Sequence, residues 1–258
     1  MIPEDLAPAR IEAVLTTRRY GRSLEVLAET GSTNDDARAA LERGAPDGHV
    51  VVADRQRAGR GARGRGWSSP GGTDLYFSIV ARVPVELPKL PPLTLAVGLA
   101  VAETARALAP RSRVEVKWPN DVWIDGAKHA GVLVEASARG AALEGVVIGV
   151  GVDVNRKRFD DVAEPATSLR LATGAPLDRA EVLARVLASI ENEVDRFAAH
   201  GAGAIVPRVE ARLALRGRRV VCDGIEGTLV GLAPGGALRL ATDAGLREIV
   251  AGTLRPVP

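Results

Sequence analysis

The 258-residue sequence contains a single cysteine, Cys222, and only three histidines, His49, His129 and His200. One cysteine cannot form an internal disulfide or a multi-cysteine zinc site. The histidines show no spacing with acidic residues or with the cysteine that would indicate a catalytic triad or a metal cluster. We therefore interpret all three histidines as structural, and the thiol as non-catalytic because no base lies near it in sequence.

Long apolar runs are also missing. The longest nearly uncharged run, residues 93–102, falls well short of the ~20 residues of a membrane helix. The first residues, MIPEDLAPAR, carry acids where a secretory signal needs a basic flank and an apolar stretch. The sequence therefore predicts a soluble, cytoplasmic protein with no membrane partner.

Neither sign of charge dominates, because 34 basic residues face 32 acidic ones and the net charge is +2. Total charge alone therefore gives no reason to expect a nucleic-acid partner. Lysine is scarce: only Lys89, Lys117, Lys128 and Lys157 occur, and every other basic residue is arginine. Two of these lysines fall within one short segment, which favours a functional role for that pair.

Hydrophobic periodicity and turn residues predict an α+β fold, with a mixed or antiparallel sheet, flanking helices and a small C-terminal β-barrel. Helices are expected at residues 9–19, 33–44, 90–108 and 177–199, with a shorter one ending near residue 215. The segment GSTNDD supplies a hydroxyl N-cap and two acids for the second helix. Strands are expected at residues 23–29, 49–53, 75–83, 114–117, 122–124, 129–135 and 143–152, with a hairpin turn at Asp125-Gly126. Short β-type runs after residue 217 predict the barrel.

Residues 55–67, RQRAGRGARGRGW, form a segment with five arginines, four glycines and no acid, called here the Arg/Gly loop. Gly59, Gly61 and Gly64 match the GxGxxG pattern of a dinucleotide site, but that fingerprint must open a helix and SSPGG follows here. The composition favours a flexible loop whose glycines let the backbone approach a phosphate and whose arginines bind it. A solvated loop and a nonspecific RNA contact remain alternatives.

The segment KWPND, residues 117–121, precedes Lys128 by seven positions. Because Lys117 ends one predicted strand and Lys128 begins another, a hairpin path would bring both ammonium groups to one end of the sheet. Such point charges suit negative charge on a carboxylate or an α-phosphate. Asn120 and Asp121 offer amide and carboxylate contacts, with Mg²⁺ as one candidate ligand. Trp118 and Trp123 are predicted to pack in the core.

Two glycines, Gly149 and Gly151, lie in an apolar strand and leave room for a flat ring or a close backbone. Asp153 and Asn155 follow and are equally suited to capping the turn after the strand.

Five motifs in order, GSTNDDA, ADRQRAGRGARGRGWSSPGG, KWPNDVWIDGAKHAGVLVE, VVIGVGVDVN and ATSLRLATG, resemble the biotin protein ligases over about residues 30–175. The resemblance implies a class II synthetase-like catalytic domain at residues 1–215 and a Src-homology-3-like β-barrel at residues 216–258. It implies that biotin and Mg-ATP give biotinyl-5′-AMP, which then modifies a lysine of the biotin carboxyl carrier domain of acetyl-CoA carboxylase or a related carboxylase. It also implies a homodimer.

The site residues follow from the same resemblance, position by position. Biotin contacts are implied for Ser32, Thr33, Asn34, Gln56, Gly59, Arg60, Gly61, Lys128 and Gly131. Contacts with ATP or the adenylate are implied for Arg60, Arg63, Arg65, Trp67, Lys117, Asn120, Asp121 and Lys128. Lys128, Arg60 and Lys117 are the expected catalytic residues, and Asp121 is the candidate for Mg²⁺.

The sequence departs from the family pattern at three places. Ala62 stands where several members carry an arginine linked to retaining the intermediate, and Asp153 stands where the family usually has asparagine. Only about 20 residues precede the first strand, too few for a three-helix DNA-binding domain, so no DNA partner is expected. Three alternatives remain open: a lipoate-type acyl-adenylate ligase, a nucleic-acid-binding module that uses the Arg/Gly loop, and a non-catalytic biotin binder.

Overall fold

A computed structural model describes residues 1–139 and 142–257. Residues 140 and 141 of the first predicted domain and residue 258 of the second lie outside the described residues. The helices are α1 (Pro8–Val14), α2 (Thr33–Glu42), α3 (Leu93–Leu108), α4 (Leu169–Thr173), α5 (Arg179–His200) and α6 (Val206–Glu210). The first seven strands are β1 (Leu24–Leu27), β2 (Val50–Ala53), β3 (Leu75–Ala81), β4 (Val114–Lys117), β5 (Asp121–Ile124), β6 (Ala127–Arg139) and β7 (Ala142–Val152). The last five are β8 (Arg219–Cys222), β9 (Ile225–Leu232), β10 (Leu238–Thr242), β11 (Gly245–Ile249) and β12 (Leu254–Pro256).

The first seven strands form one sheet in the order β1-β2-β3-β7-β6-β5-β4. Only β1 and β2 are parallel, and each other neighbouring pair is antiparallel. The predicted mixed sheet with flanking helices is thereby confirmed. The turn between β5 and β6 also forms as predicted, because Asp125 and Gly126 both adopt positive φ, 51° and 83°.

The two faces of this sheet are covered by different helices. On one face Val50, Val52, Phe77 and Ile79 join the main core, to which α3 and α5 contribute. On the other face Val51, Val80 and Val147 pack against the alanines of α2. Alternate residues of β2 and β3 therefore point to opposite helix layers, as a strand buried on both faces requires.

The structure corrects two predicted helices. The first helix ends at Val14 instead of residue 19, because Leu15 is already extended with a ψ of 129° and the chain then turns so that the N–H groups of residues 18–20 bind Glu191. The short helix before the C-terminal strands ends at Glu210 instead of near residue 215. Beyond it the chain pairs with β4, since Val116 N donates to Arg212 O at 2.9 Å and Ala214 N donates to Val116 O at 2.9 Å.

The last five strands form a second, antiparallel sheet in the order β11-β10-β9-β8-β12. The Trp118 indole donates to Gly236 O at 3.0 Å, and Leu232 N donates to Glu210 Oε1 at 2.8 Å, so this sheet is joined to the first. Closure of the second sheet into a barrel and the domain boundary near Arg216 stay predictions. Within residues 1–139 and 142–257, none of the helices combines the length and apolarity needed to cross a bilayer.

One buried carboxylate joins the N-terminal segment to α5. Glu191, with 3% of its side chain exposed, accepts hydrogen bonds from the backbone N–H groups of Arg18, Arg19 and Tyr20 at 3.1–3.2 Å. Burial opposes ionisation of Glu191, but these N–H groups and the Arg18 guanidinium outweigh it and hold the pKa of Glu191 below its usual range. The ionised carboxylate therefore stabilises the fold.

We expect Glu191→Gln to lower the free energy of unfolding by about 2 kcal/mol at pH 7, because neutral acceptors bond the three N–H groups less strongly. Since folding lowers this pKa, the contribution is complete above about pH 4.3 and is lost as the pH falls through the native pKa. Urea titrations at pH 7 and pH 4 should show the difference from wild type shrinking at the lower pH. Glu12→Gln, on an exposed part of α1, is the control, and equal stabilities at pH 7 would contradict the expectation.

Candidate active site

A cavity of about 310 Å³ lies on the α2 face of the first sheet. Most of the predicted site residues line it: Ser32, Thr33, Asn34, Gln56, Arg60, Gly61, Arg65, Trp67, Asn120, Lys128 and Gly131. Gly59, Arg63, Lys117 and Asp121 belong to the same region but do not line this cavity. Its size is at the lower end of the roughly 300–1,000 Å³ typical of ligand pockets.

The first turn of α2 forms one wall of the cavity. Ser32 occupies the N-cap position but its side chain makes no cap hydrogen bond, so the predicted hydroxyl cap is wrong. Instead, Gln56 Oε1 accepts from Thr33 N at 2.9 Å and lies 3.2 Å from Thr33 Oγ1. The amide nitrogen of Gln56 donates to Ser69 Oγ at 2.9 Å. Gln56 of the Arg/Gly loop therefore accepts from a free backbone N–H group at the N-terminus of α2, and this hydrogen bond orients the Gln56 side chain.

Asn34 is held at both ends of its amide. Ser78 Oγ donates to Asn34 Oδ1 at 2.6 Å, and Asn34 Nδ2 donates to Glu135 Oε2 at 2.7 Å. An added Cβ at Gly149 would lie 2.8 Å from Asn34 Cγ, so the absence of a side chain there makes room for the amide. The amide is therefore fixed in a buried position and in one orientation.

The flat ring predicted beside the strand glycines is the chain's own Trp67 indole. At both Gly131 and Gly151, an added Cβ would lie 2.8 Å from a ring carbon of Trp67. These two glycines are called here the glycine floor. The buried indole nitrogen has no hydrogen-bond partner. Gly59 fits closely as well, because a Cβ there would lie 2.6 Å from Trp67 O.

Lys117 and Lys128 converge on Asp121, as the hairpin argument predicts. Lys117 Nζ lies 3.3 Å from Asp121 Oδ2 and Lys128 Nζ lies 2.7 Å from Asp121 Oδ1. Lys117 and Asp121 are buried, with 4% and 2% exposure. Each ammonium group also lies 5.1 Å from the centre of an indole, Lys117 over Trp123 and Lys128 over Trp67.

The two neighbouring tryptophans have different environments. Trp118 is 2% exposed and packs in the core as predicted. Trp123 is only half-buried and lies under the Lys117 ammonium, so the prediction of core packing is wrong for it. Asn120 is fixed by donating to Val132 O at 3.0 Å.

Asp121 does not fit the predicted role of a Mg²⁺ ligand. Each of its carboxylate oxygens faces a lysine ammonium, which occupies the positions where a hard cation would bind. In the described part of the chain, no group of three or more histidine, cysteine, aspartate or glutamate side chains is placed to hold a metal ion.

Four of the five arginines of the Arg/Gly loop are paired with acids of this chain instead of forming a free basic surface, and Arg65 donates to the carbonyl of Ala62. The pairs are Arg55 and Arg57 with Glu29, Arg60 with Asp35 and Glu135, and Arg63 with Asp223 in the turn between β8 and β9. Because these acids already neutralise most of the loop, the geometry does not favour the nucleic-acid module.

A buried acid also lines the cavity beside Lys128. Asp153 is 5% exposed, and burial together with the neighbouring Asp74 carboxylate raises its pKa well above the usual value, against the opposing charges of Arg156 and Lys128. Asn155 does not cap the turn after β7, because its side chain instead exchanges two 2.8 Å hydrogen bonds with the backbone of Leu177, 22 residues further along the chain.

Sequence reasoning missed several residues of this site: Ser78, Glu135, Asp35 and Arg156. Ser78 carried a usable signal, because it is the one small polar residue among the aliphatic and aromatic residues of the strand LYFSIVA. Glu135 ends the apolar part of β6, which is also visible in the sequence. Asp35 pairs with Arg60, and Arg156 pairs with Asp161. Both pairs depend on loop residues meeting at the cavity, which no local pattern predicts.

Comparisons with known proteins agree with this geometry. Residues 27–153 match the model of the biotin/lipoate A/B protein ligase family. The chain is 34% identical over 254 residues to the bifunctional ligase/repressor BirA of Bacillus spizizenii, covering 96% of this chain and 78% of that protein. It is 32% identical to a biotin–acetyl-CoA-carboxylase ligase of Paracoccus denitrificans, with 88% and 97% covered. The structure of an Aquifex aeolicus biotin protein ligase in complex with biotin and ATP superimposes with a TM-score of 0.81 and 33% identity, covering 92% and 100%.

We expect Gly149→Ala to weaken binding of biotin, the ligand that the resemblance implies, by at least about 10-fold, because the new methyl group displaces the Asn34 amide. Isothermal titration calorimetry with biotin measures the change. Gly203→Ala is the control, since an added Cβ there has no heavy atom within 4 Å. Unchanged affinity in a folded Gly149→Ala protein would remove Asn34 from the binding site.

Proposed function

The chain belongs to the biotin/lipoate A/B protein ligase family, and from this premise we propose that it is a biotin protein ligase. It activates biotin with ATP to biotinyl-5′-AMP and transfers the biotinyl group to a lysine of a biotin carboxyl carrier domain. The observation that carries the proposal is the cavity itself, in which fixed polar groups of α2 and the ammonium group of Lys128 line the same space.

The polar wall suits the ureido ring of biotin. Thr33, Asn34, Gln56 and Ser78 form one hydrogen-bonded set, so their remaining donors and acceptors are presented in fixed directions. A urea offers one carbonyl acceptor and two N–H donors and needs such a set, whereas the dithiolane ring of lipoate offers neither. These contacts support biotin over lipoate as the substrate.

In the first step a carboxylate oxygen of biotin attacks the α-phosphorus of ATP. The bond from that phosphorus to the oxygen bridging to the β-phosphate breaks, and pyrophosphate leaves. Two anions must approach each other, so positive charge is needed at the reacting atoms. Lys128 supplies it from the cavity wall, with Lys117 held behind it by the shared Asp121 carboxylate. Arg60 and Arg65 line the same cavity and add charge for the phosphates.

In the second step the neutral amine of the acceptor lysine attacks the acyl carbon of the mixed anhydride. The bond between that carbon and the phosphate oxygen breaks, AMP leaves, and the new amide nitrogen loses one proton. Mg²⁺ would bind together with ATP and not to Asp121, because both carboxylate oxygens of Asp121 face lysine ammonium groups. A role for Ala62 and Asp153 in retaining the intermediate, a homodimeric state, a cytoplasmic location and the lack of DNA binding stay predictions.

We expect purified protein with Mg-ATP to release pyrophosphate when biotin is added, but not with lipoate or without an acid. Lys128→Ala should lower the rate by at least about 100-fold while the fold is kept, because the developing charge loses its nearest cation. Lys157→Ala, at an exposed position, is the matched control. Adding a carrier domain should label a single lysine.

Two results would overturn this assignment. Biotin binding without pyrophosphate release would indicate the non-catalytic biotin binder, and release driven by lipoate alone would indicate a lipoate-type ligase. Near-normal release by Lys128→Ala would remove that residue from the catalytic set.

We expect the Arg/Gly loop to become resistant to trypsin when biotin and ATP bind, since a free acyl adenylate must be shielded from water. Its five arginines make it a substrate for the protease. Mass spectrometry of timed digests with and without the two ligands identifies cleavage within residues 55–67. Equal cleavage in both samples would show that the loop does not close.

A further inference from the structure

Asp153 follows β7 at the end of the cavity that lies beside Lys128. Gly149, Gly151 and Asp153 are alternate residues of the chain, and all three line the cavity. Because a strand rises about 3.4 Å per residue, Asp153 lies about 14 Å along the chain from Gly149, which makes room for the Asn34 amide. In the proposed reaction the biotin ring lies at Asn34 and the reacting atoms lie at Lys128. The space next to Asp153 therefore receives the nucleotide.

The carboxyl group of Asp153 has no counterion of its own. In the described part of the chain its oxygens take part in no hydrogen bond and no ion pair. Two cations act on it from a distance, but each is paired with another acid. Lys128 Nζ lies 2.7 Å from Asp121 Oδ1, and Arg156 pairs with Asp161. Only 5% of Asp153 is exposed, so water does not replace the missing partner and an ionised carboxylate is costly there.

A second buried carboxylate, Asp74, acts on Asp153 and is well supplied with donors. Asp74 Oδ1 accepts from Val154 N at 2.8 Å. Asp74 Oδ2 accepts from Thr73 Oγ1 at 3.0 Å and from Tyr76 OH at 3.3 Å. Burial raises the pKa of Asp74, but these hydrogen bonds oppose the shift. Of the two carboxyl groups, the one that accepts three hydrogen bonds keeps the negative charge, and the one that accepts none keeps the proton.

The other charged and titratable groups around Asp153 do not reverse this preference. Arg156 and Lys128 lower its pKa and Asp161 raises it, but burial and the Asp74 charge leave the net shift upward. His129, whose backbone oxygen accepts from Asp153 N at 2.9 Å, has its pKa lowered to about 4 by burial and carries no charge at neutral pH. A bound nucleotide adds negative charge, which favours the protonated acid further.

We propose that Asp153 binds ATP as a neutral carboxylic acid and donates a hydrogen bond to the nucleotide. This inference rests on the proposed biotin ligase function. A neutral carboxyl group offers one donor and acceptor capacity, as does the asparagine that is usual in the family at this position, whereas a carboxylate offers acceptors only and repels phosphate. The complex therefore holds a proton at Asp153, and the affinity for ATP falls as the pH rises through the pKa of Asp153 in the free protein.

The test compares the wild-type protein with Asp153→Asn, which has nearly the same shape and no titratable proton. Calorimetry measures the dissociation constant of each protein for a non-hydrolysable ATP analogue with Mg²⁺ between about pH 6 and pH 9. We expect the ratio of the wild-type constant to the variant constant to rise by at least about 10-fold across this range, because only the wild-type side chain ionises. Titration of the analogue itself affects both proteins and cancels in the ratio.

A second readout detects the proton directly. Titrations at about pH 8 in buffers of different ionisation enthalpy give the number of protons taken up on binding, which should be larger for the wild-type protein than for Asp153→Asn. Asp74→Asn should move the loss of affinity to lower pH, because removing the neighbouring charge lowers the pKa of Asp153. Glu164→Gln is the matched control, because Glu164 lines the same cavity but is only half-buried, and it should keep the wild-type pH dependence.

The outcomes distinguish the inference from the function on which it rests. Wild-type protein that binds neither biotin nor the ATP analogue would overturn the proposed function, and the inference with it. Wild-type protein that binds both ligands with a ratio unchanged by pH would overturn only the inference. A ratio that falls as the pH rises would show that Asp153 binds as a carboxylate through the Mg²⁺ of the analogue, which also contradicts the inference.

Discussion

The bridge from Lys117 through Asp121 to Lys128 is the interaction on which the arrangement of the site depends. Two ammonium groups are held close together in a poorly hydrated region, and they tolerate each other only because one carboxylate lies between them. The indoles under the two ammonium groups add an attraction that does not require further acids. The excess positive charge is therefore maintained in the protein before any anion arrives, which is the arrangement that favours reaction between two negatively charged groups.

The other residues of the site either leave room next to these positive charges or hold the neighbouring side chains in place. Gly131, Gly149 and Gly151 create room on the α2 face, and the chain fills it with groups from distant segments, Asn34 from the helix and Trp67 from the loop. The opposite face of the same strands carries the apolar core shared with α3 and α5. Function and stability are thus divided between the two faces of one sheet, so polar groups accumulate on one side without interrupting the core on the other.

What could be predicted from the sequence was local. The strand at residues 114–117, the Asp125-Gly126 turn and the convergence of Lys117 and Lys128 follow from neighbouring residues and the geometry of a hairpin. Non-local contacts escaped prediction. Glu191 accepts hydrogen bonds from the backbone of Arg18, Arg19 and Tyr20, more than 170 residues away in sequence. Glu135 accepts from Asn34, which lies 101 positions earlier in the chain. The resemblance to biotin ligases implied ligand contacts for Thr33 and Asn34, but it did not reveal that Ser78 and Glu135 hold the Asn34 amide in place.

The position of Trp67 on the glycine floor has a consequence for measured affinities. Both glycines present backbone to the indole, and backbone in the middle of a sheet cannot recede to make space. A planar group of a ligand that stacks on this floor and the indole of Trp67 therefore exclude each other. The indole therefore competes with such a ligand for part of the cavity, and the apparent dissociation constant of the ligand is the intrinsic one divided by the fraction of time for which the indole leaves the floor free.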